Sequence, residues 1–193
     1  MKLLILDRDG TLNRRRDDYV ASPDEWEALP GALEAVARLN HEGWKVVLAT
    51  NQSGIGRGLF DMAALNAIHA KMNRQLAAVG GRVEAVFFCP HAPEDGCDCR
   101  KPRPGLFLQI GQRFGVPMAG VQAVGNALRH AQAALAAGCQ AHLLLTGQSE
   151  HLREQPGETA GVPAGVRAHA DLAAYADWLL AQEEATAAPA PAP

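Results

Sequence analysis

The chain has 193 residues, enough for one domain with a sizeable buried core. Hydrophobic residues make up 48% of it and charged residues 20%, which is typical of a globular protein. The net charge of −3 gives no reason to expect non-specific binding to nucleic acid. Since the sequence shows no signal peptide and no apolar run long enough to span a membrane, we expect a cytoplasmic protein.

Predicted strands and helices alternate along the chain. Short apolar runs predict five strands, at 3–6, 44–49, 83–89, 121–125 and 141–146. Apolar residues at helical spacing, with Gly and Pro at the ends, predict helices near 32–43, 61–79, 104–115, 127–137 and 171–182. This alternation predicts an α/β fold, a three-layer Rossmann-like sandwich on a central parallel sheet.

The remaining segments predict loops and a tail. Three glycines make 54–58 a flexible loop, and 148–165 has the composition of another loop. Residues 1–182 are therefore expected to form a single domain. Residues 183–193 are rich in Ala and Pro and lack apolar bulk, so we expect them to be disordered.

Two carboxylates follow the first predicted strand directly. Asp7 and Asp9 come after a continuous apolar run, which is typical of a strand buried on both faces of a parallel sheet. Such a strand delivers its terminal charges to the carboxyl edge of the sheet, where open α/β folds place their sites. Alternation puts both side chains on one side, close enough to share a cation and divide nucleophilic and acid–base roles. A strand followed by an ordinary polar turn is the alternative.

Polar residues also follow the other strands. The Thr50 hydroxyl, with the backbone N–H groups of residues 51–53, could hold a phosphate oxygen, although an ordinary polar turn would look the same. Pro102 and Pro104 constrain the chain around Lys101, which could direct this lysine inward; alone it would be an ordinary surface residue. The fourth strand ends in Gly-Asn at Asn126.

Three of the four cysteines cluster with a histidine in one short loop. Cys89, His91, Cys97 and Cys99 lie within eleven positions, in a loop spanning 89–99. Four soft ligands with no spare position match a structural zinc site, and free thiols or a redox pair are the alternatives. Zinc would hold in place the loop that leads to Lys101. The fourth cysteine, Cys139, is expected to be a small buried apolar residue.

Four of these signals occur in one order: DRDGT at 7–11, Thr50, Lys101 before a helix, and the turn after the fourth strand. In this order they resemble the haloacid dehalogenase superfamily of phosphohydrolases. Within it, DRDGTLN, TNQSGIGRG and CPH…CDCRKP are similar to the bacterial heptose bisphosphate phosphatases, with the histidinol-phosphate phosphatases as near relatives. The resemblance covers about residues 1–147 and implies an architecture without a large cap domain.

The resemblance implies a reaction and its catalytic residues. Asp7 would attack phosphorus to form an aspartyl-phosphate, and Asp9 would protonate the leaving alkoxide and later deprotonate the hydrolytic water. Thr50 and Lys101 would bind the transferring phosphoryl oxygens. A catalytic magnesium ion would be held by the Asp7 carboxylate, the Asp9 backbone carbonyl and the residue after the fourth strand, Asn126.

The resemblance also implies contacts to the sugar or to its second phosphate. The residues expected to make them are Asp18, Tyr19, Asn51, Gln52, Ser53 and Arg100. For the basic run at 14–16 we favour a solvated surface over ligand contact.

The chain departs from the family pattern in the turn after the fourth strand. Relatives carry an acidic turn there, with a second Asp a few residues later, whereas this chain has Asn126 and His130. An amide oxygen can ligate magnesium but brings no negative charge. The departure puts catalytic competence in question and leaves the predicted fold untouched.

The function expected from the sequence is hydrolysis of the 7-phosphate of a heptose 1,7-bisphosphate, with catalytic Mg²⁺ and structural Zn²⁺. The expected partner is a small phosphorylated sugar, with no nucleic acid and no membrane, and we expect a monomer. One alternative is histidinol-phosphate hydrolysis. The other is a paralogue that binds a phosphorylated ligand and hydrolyses it poorly or not at all.

Overall fold

The computed structural model of the protein describes residues 1–154 and 161–187, and a six-stranded parallel sheet forms its centre. The strands are β1 (Leu3–Leu6), β2 (Lys45–Asn51), β3 (Ala85–Cys89), β4 (Gln122–Gly125), β5 (Gln140–Leu144) and β6 (Val166–His169). The helices are α1 (Ala32–His41), α2 (Ser53–Gly56), α3 (Met62–Ala78), α4 (Gly105–Phe114), α5 (Leu128–Ala137) and α6 (Leu172–Ala187). Short 3₁₀ helices lie at Pro23–Glu25, Pro93–Asp95, Met118–Gly120 and Gly147–Glu154. The predicted fold class is confirmed.

The order of the strands places a crevice beside β1. The sheet runs β3-β2-β1-β4-β5-β6, and Ile5 of β1 lies opposite Val47 of β2 and Ala123 of β4. The chain moves outward in one direction from β1 to β3, then returns to place β4 on the other side of β1. Ligands of open α/β sheets bind at this kind of switch in strand order, outside the carboxyl ends of the strands.

Helices cover both faces of the sheet. Leu4 and Leu6 of β1 pack in one core with residues of α1, α3 and α6, while Leu3 and Ile5 pack in a second core with residues of α4 and α5. All four side chains are fully buried, which explains why β1 is uniformly apolar. Among the described residues, no helix is long and apolar enough to cross a membrane.

The structure adds regular elements to segments that were predicted as loops. Residues 54–58, expected to be a flexible loop, begin within the short helix α2. The segment 148–165 was expected to be a loop, but its start belongs to a 3₁₀ helix; residues 155–160 lie outside the described part. Strand β6 was not predicted, because it has four residues and only Val166 gives a strong apolar signal.

The C-terminal helix extends further than its composition indicated. Residues 183–187, placed by composition in a disordered tail, are the last turn of α6. The carboxylate of Glu183 lies 2.8 Å from Lys2 Nζ and accepts a hydrogen bond from Trp44 Nε1. These contacts give the helix end a tertiary anchor that local composition does not reveal. Residues 188–193 lie outside the described residues.

A tight approach of two turns determines the shape of the sheet edge. Gly10, in the turn after β1, has a φ of +82°, which L side chains rarely adopt. A β-carbon at this position would overlap the side-chain amide of Asn126, in the turn after β4. The two turns can therefore pack together only because residue 10 has no side chain.

We predict that Gly10→Ala destabilises the protein by about 2–5 kcal/mol, because left-handed strain adds to steric overlap with a buried amide. Gly43→Ala is the matched control, since Gly43 has a φ of +84° but open space around its missing β-carbon. The control should cost only about 1–2 kcal/mol. Urea unfolding of both variants measures the difference, and equal losses would contradict the packing argument.

Candidate active site

Four predicted site residues meet at the carboxyl edge of the sheet. Asp7 directly follows β1, Thr50 lies near the end of β2, and Asn126 directly follows β4. Lys101 enters from the loop before α4. All four are at most 4% exposed, so the fold has gathered polar groups from distant parts of the chain into one buried site.

Lys101 forms a buried ion pair with Asp7. Its Nζ lies 2.8 Å from Asp7 Oδ1, 2.7 Å from the Ala49 carbonyl oxygen and 3.0 Å from His130 Nδ1. These three partners use all three N–H donors of the ammonium group. The Asn51 side chain bonds both the backbone N–H and the carbonyl of Lys101, at 3.2 and 3.1 Å. Asn51, the last residue of β2, thus fixes the backbone position of Lys101.

The surroundings keep Asp7 ionised. Burial is the largest single effect and acts to raise the pKa of Asp7, but Lys101, through its charge and its hydrogen bond, and the other basic groups nearby together outweigh it, so the pKa lies below its ordinary value. Burial, with the nearby charge of Lys101, lowers the pKa of His130 to about 3. The imidazole is therefore neutral at physiological pH, and its Nδ1 can accept a hydrogen bond from the lysine. An ionised, buried carboxylate is what a nucleophilic Asp requires.

The Asp9 carboxylate is held by three side chains. Arg8 donates to both of its oxygens, at 3.1 Å from Nε and 2.9 Å from Nη2. Asn13 Nδ2 donates to Oδ1 at 2.9 Å, and Gln52 Nε2 donates to Oδ2 at 3.0 Å. The same Gln52 nitrogen lies 2.8 Å from the Thr50 hydroxyl. Gln52, predicted to contact substrate, therefore connects Asp9 and Thr50 within the site.

Arg8 is a site residue that the sequence analysis did not identify. Its side chain is fully buried, and besides Asp9 it reaches Gln52 Oε1 and His69 Nε2, at 3.3 and 3.2 Å. Burial, with the adjacent Arg8 charge, lowers the pKa of His69 to about 4, so this imidazole is a neutral acceptor. The sequence did contain a signal for Arg8: it is a basic residue between two carboxylates at the end of a buried strand. A charged side chain buried there needs an anionic partner.

The site offers oxygen donors of the type that hard divalent cations prefer. The Asp7 carboxylate, the Asp9 backbone carbonyl and the Asn126 side chain lie at neighbouring strand ends, and they fit such a cation if the Asn126 amide oxygen faces the Asp9 carbonyl. In the structure the Asn126 amide oxygen faces the Asp9 carbonyl oxygen, 2.9 Å away, and accepts a hydrogen bond from the Thr11 hydroxyl at 3.2 Å. Two oxygens that face each other in this way match a pair of ligands to one cation.

The predicted substrate-contacting residues line one cleft beside Asp9. The cleft is bordered by Asp18, Tyr19, Asn51, Gln52, Ser53 and Arg100. At its rim the Asp18 carboxylate accepts a hydrogen bond from Arg16 at 2.9 Å, and the hydroxyls of Tyr19 and Ser53 lie 3.3 Å apart. The topology thus brings the predicted residues together on one side of the site.

Three further arginines line the cleft. They are Arg15 and Arg16 from the basic run and Arg129 from the start of α5. Arg14 agrees with the expected solvated surface, since it pairs there with Glu27. Arg15 and Arg16 instead border the cleft. The cleft therefore presents a concentration of positive charge that suits an anionic ligand.

The Cys/His cluster has the geometry of a tetrahedral metal site. The four ligand atoms lie within 4.8 Å of one another, and five of their separations are between 3.3 and 3.6 Å. Zinc bound by sulfur at about 2.3 Å in a tetrahedron separates its ligand atoms by about 3.7 Å. The residues that sequence spacing assigned to one site, Cys89, His91, Cys97 and Cys99, therefore converge around a volume of the right size.

The cluster is tied to the segment that carries Lys101. Arg103 Nη1 donates to the Cys97 carbonyl at 2.7 Å, and Arg100 Nη1 donates to the His91 carbonyl at 3.2 Å. Lys101 lies between these two arginines. An ordered cysteine loop therefore helps to fix the position of Lys101.

Comparisons with known proteins agree with this geometry. A family model described as polynucleotide kinase 3 phosphatase matches residues 2–125. A protein of Bordetella bronchiseptica named D-glycero-beta-D-manno-heptose-1,7-bisphosphate 7-phosphatase is 57% identical over 180 residues, which are 93% of this chain and 98% of the relative. A protein of the same name from Pseudomonas aeruginosa is 47% identical over 178 residues, 92% of this chain and 97% of the relative.

Solved structures lead to the same family. The crystal structure of D,D-heptose 1,7-bisphosphate phosphatase from B. bronchiseptica, complexed with magnesium and phosphate, matches with a TM-score of 0.88 and 56% identity, covering 94% of this chain and 99% of that one. The enzyme from Burkholderia thailandensis matches with a TM-score of 0.71 and 48% identity, covering 93% and 99%. This chain therefore belongs to the heptose 1,7-bisphosphate 7-phosphatase family of the haloacid dehalogenase superfamily.

Proposed function

We propose that this protein is a magnesium-dependent phosphatase that removes the 7-phosphate of D-glycero-D-manno-heptose 1,7-bisphosphate. The observation that carries the proposal is the buried carboxylate of Asp7 at the switch in strand order, kept ionised by Lys101 at 2.8 Å. The names of relatives 47–57% identical over almost the whole chain support the choice of substrate.

In the first step, an Asp7 oxygen forms a bond to phosphorus as the bond from phosphorus to the sugar oxygen breaks. Asp7 Oδ1 is engaged by Lys101 and by the backbone N–H of Arg8, which leaves Oδ2 for the attack. Lys101, through its positive charge, and the Thr50 hydroxyl, as a hydrogen-bond donor, stabilise negative charge on the phosphoryl oxygens. The product is an aspartyl-phosphate.

Asp9 acts as the general acid and then as the general base. As a carboxylic acid it gives its proton to the departing sugar oxygen; as the resulting carboxylate it takes a proton from the water that attacks the aspartyl-phosphate, so inorganic phosphate leaves, Asp7 is again a carboxylate and Asp9 is again protonated. Arg8, Asn13 and Gln52 hold the carboxylate form. Asp9 must loosen some of these bonds to reach the leaving oxygen.

A magnesium ion would be held by the Asp7 carboxylate, the Asp9 carbonyl and the side chain of Asn126. When bound, it supplies positive charge that offsets the repulsion between Asp7 and a dianionic phosphate. The remaining phosphate and the sugar would lie in the arginine-lined cleft, against Arg100 and the loop of Asp18 and Tyr19. We propose that the protein acts as a cytoplasmic monomer on this small substrate.

A second candidate function follows from the turn after β4. Asn126 and the neutral His130 leave that turn without a negative charge near the cation position. A weaker cation site would give a protein that binds the phosphorylated sugar and hydrolyses it slowly.

We predict that Asp7→Asn abolishes phosphate release, by about a thousandfold or more, because an amide cannot attack phosphorus. Asp9→Asn should also be severely impaired, because the proton donor is lost. The assay measures inorganic phosphate from heptose bisphosphate, fructose bisphosphate and histidinol phosphate, with magnesium titrated. Asp17→Asn, a change at a fully exposed carboxylate, is the matched control. Wild-type activity in Asp7→Asn would refute the aspartyl-phosphate mechanism, and release only from histidinol phosphate would refute the proposed substrate.

We predict that Asn126→Asp lowers the magnesium concentration for half-maximal activity by up to about a thousandfold. One unit charge 4 Å from the ion is worth about 4 kcal/mol at an effective dielectric constant of 20, an upper figure before relaxation. The turnover number at saturating magnesium should change less, because Asp7 and Asp9 make and break the bonds. Asn73→Asp, on the exposed side of α3, is the control for added charge. No activity in either wild type or Asn126→Asp would favour the binding-only candidate.

We also propose a structural zinc ion at the Cys/His cluster. The support is the tetrahedral spacing of three sulfurs and one nitrogen, which fill all four positions and leave none for water or substrate. Zinc would act on catalysis only through position, by ordering the loop that carries Arg100 and Lys101.

We predict about one tightly held zinc per chain in freshly purified protein. Cys99→Ser should reduce the zinc content, lower the melting temperature and reduce activity through the displaced Lys101 loop. Cys139→Ser alters a cysteine outside the cluster and should keep the zinc. Elemental analysis with thermal melts provides the measurement, and absence of zinc from the wild type would refute the proposal.

A further inference from the structure

The side-chain amide of Gln52 is fully engaged inside the site. The residue is buried, and its Oε1 accepts a hydrogen bond from Arg8 Nη2 at 3.3 Å. Its Nε2 donates to Asp9 Oδ2 at 3.0 Å and to the Thr50 hydroxyl oxygen at 2.8 Å. These two bonds use both N–H groups of the amide.

Arg8 and Asp9 fix the direction in which this amide points. A guanidinium group has only donors and a carboxylate has only acceptors, so the amide oxygen must face Arg8 and the amide nitrogen must face Asp9. If the amide were turned over, it would place two acceptors together at Asp9 and two donors together at Arg8, which is unfavourable for buried groups. The observed orientation of Gln52 is therefore the one that its two charged neighbours require.

The orientation of Gln52 determines the role of the Thr50 hydroxyl. An amide nitrogen cannot accept a hydrogen bond, so the Thr50 oxygen is the acceptor in its contact with Gln52. The hydroxyl hydrogen must therefore point away from Gln52. Within the part of the chain that the structure describes, no oxygen accepts this hydrogen. The hydroxyl thus has a donor to offer to a group that enters the site.

Lys101, the other residue expected to bind phosphoryl oxygens, has no such spare donor. Its three N–H groups are engaged by Asp7, Ala49 and His130. A phosphoryl oxygen beside Lys101 gains from its charge, but it can accept an N–H bond only by displacing one of these partners. A donor that is already oriented stabilises developing negative charge without this reorganisation, and Thr50 provides one.

We propose that Gln52 is a positioning residue for the phosphoryl transfer, because it orients the Thr50 hydroxyl as a hydrogen-bond donor to the transferring group. The proposal rests on the proposed function insofar as it takes Thr50 as a ligand of that group. The backbone N–H of Gln52 donates to the Cys89 carbonyl at 2.7 Å, at the end of β3, which anchors the residue on its other side. The Arg8–Asp9 pair thus sets the direction of the Thr50 hydroxyl hydrogen through one amide.

A double-mutant cycle separates this role from a purely structural one. The probe is inorganic phosphate, with zinc and Mg²⁺ supplied, and its affinity is measured by isothermal titration calorimetry. We expect Gln52→Leu to weaken phosphate binding about tenfold in the wild-type and Thr50→Ser backgrounds, because the hydroxyl hydrogen is no longer directed toward the ligand. In the Thr50→Val background, which keeps the shape but lacks the hydroxyl, the same change should cost less than about twofold.

Two results would overturn the proposal. Equal losses from Gln52→Leu in the Thr50→Ser and Thr50→Val backgrounds would show that Gln52 acts through Arg8 or Asp9 alone. Phosphate binding that Thr50→Val leaves unchanged would show that the Thr50 hydroxyl is not a phosphate ligand.

Gln52→Glu keeps the proposal testable if Gln52→Leu does not fold. The new carboxylate has the shape of the amide but can only accept, so the Thr50 hydroxyl would turn its hydrogen toward residue 52 and away from the phosphate. The loss of phosphate affinity should then be about fivefold or more greater with Thr50 than in the Thr50→Val background, and equal losses would contradict the proposal. Neither cycle needs catalysis, so a wild type that binds phosphate but releases none from heptose bisphosphate would refute the proposed function while leaving both cycles readable.

Discussion

The buried ion pair between Asp7 and Lys101 is the constraint on which the rest of the site depends. Removing two charges from water is costly, and their attraction repays this only when the geometry is good and their remaining hydrogen-bonding groups are satisfied. Ala49, His130 and the backbone N–H of Arg8 supply those partners. Strand β2, helix α5 and the cysteine loop must therefore all be in place before the Asp7 carboxylate is stabilised in its ionised form.

Charge is balanced within the site by two such pairs. Lys101 offsets Asp7, and Arg8 offsets Asp9, so the two carboxylates are compensated by the chain itself. The turn after β4 then adds an amide, Asn126, and a neutral imidazole, His130. Both departures from the family pattern act in one direction, since each reduces the negative charge that a cation would have to neutralise.

Prediction from sequence succeeded where local chemistry is strong. The apolar run before Asp7 indicated a strand buried on both faces, and the spacing of three cysteines and a histidine indicated one cluster. It failed for β6, whose four residues carry little apolar signal and pair along only one side. It also missed Arg8, because a local pattern cannot show that a charged side chain is buried against Asp9 and His69.

The sequence by itself determined the alternation of strands and helices, the identity of the reactive groups and the strand ends at which they lie, since these follow from periodicity and side-chain chemistry along a few residues. Tertiary structure alone decided which groups meet: Lys101 on Asp7, Asn51 on the lysine backbone, and Asn126 between the turns of Gly10 and Gly147. The physical reason is that these contacts join residues far apart in the chain, through strand order and burial.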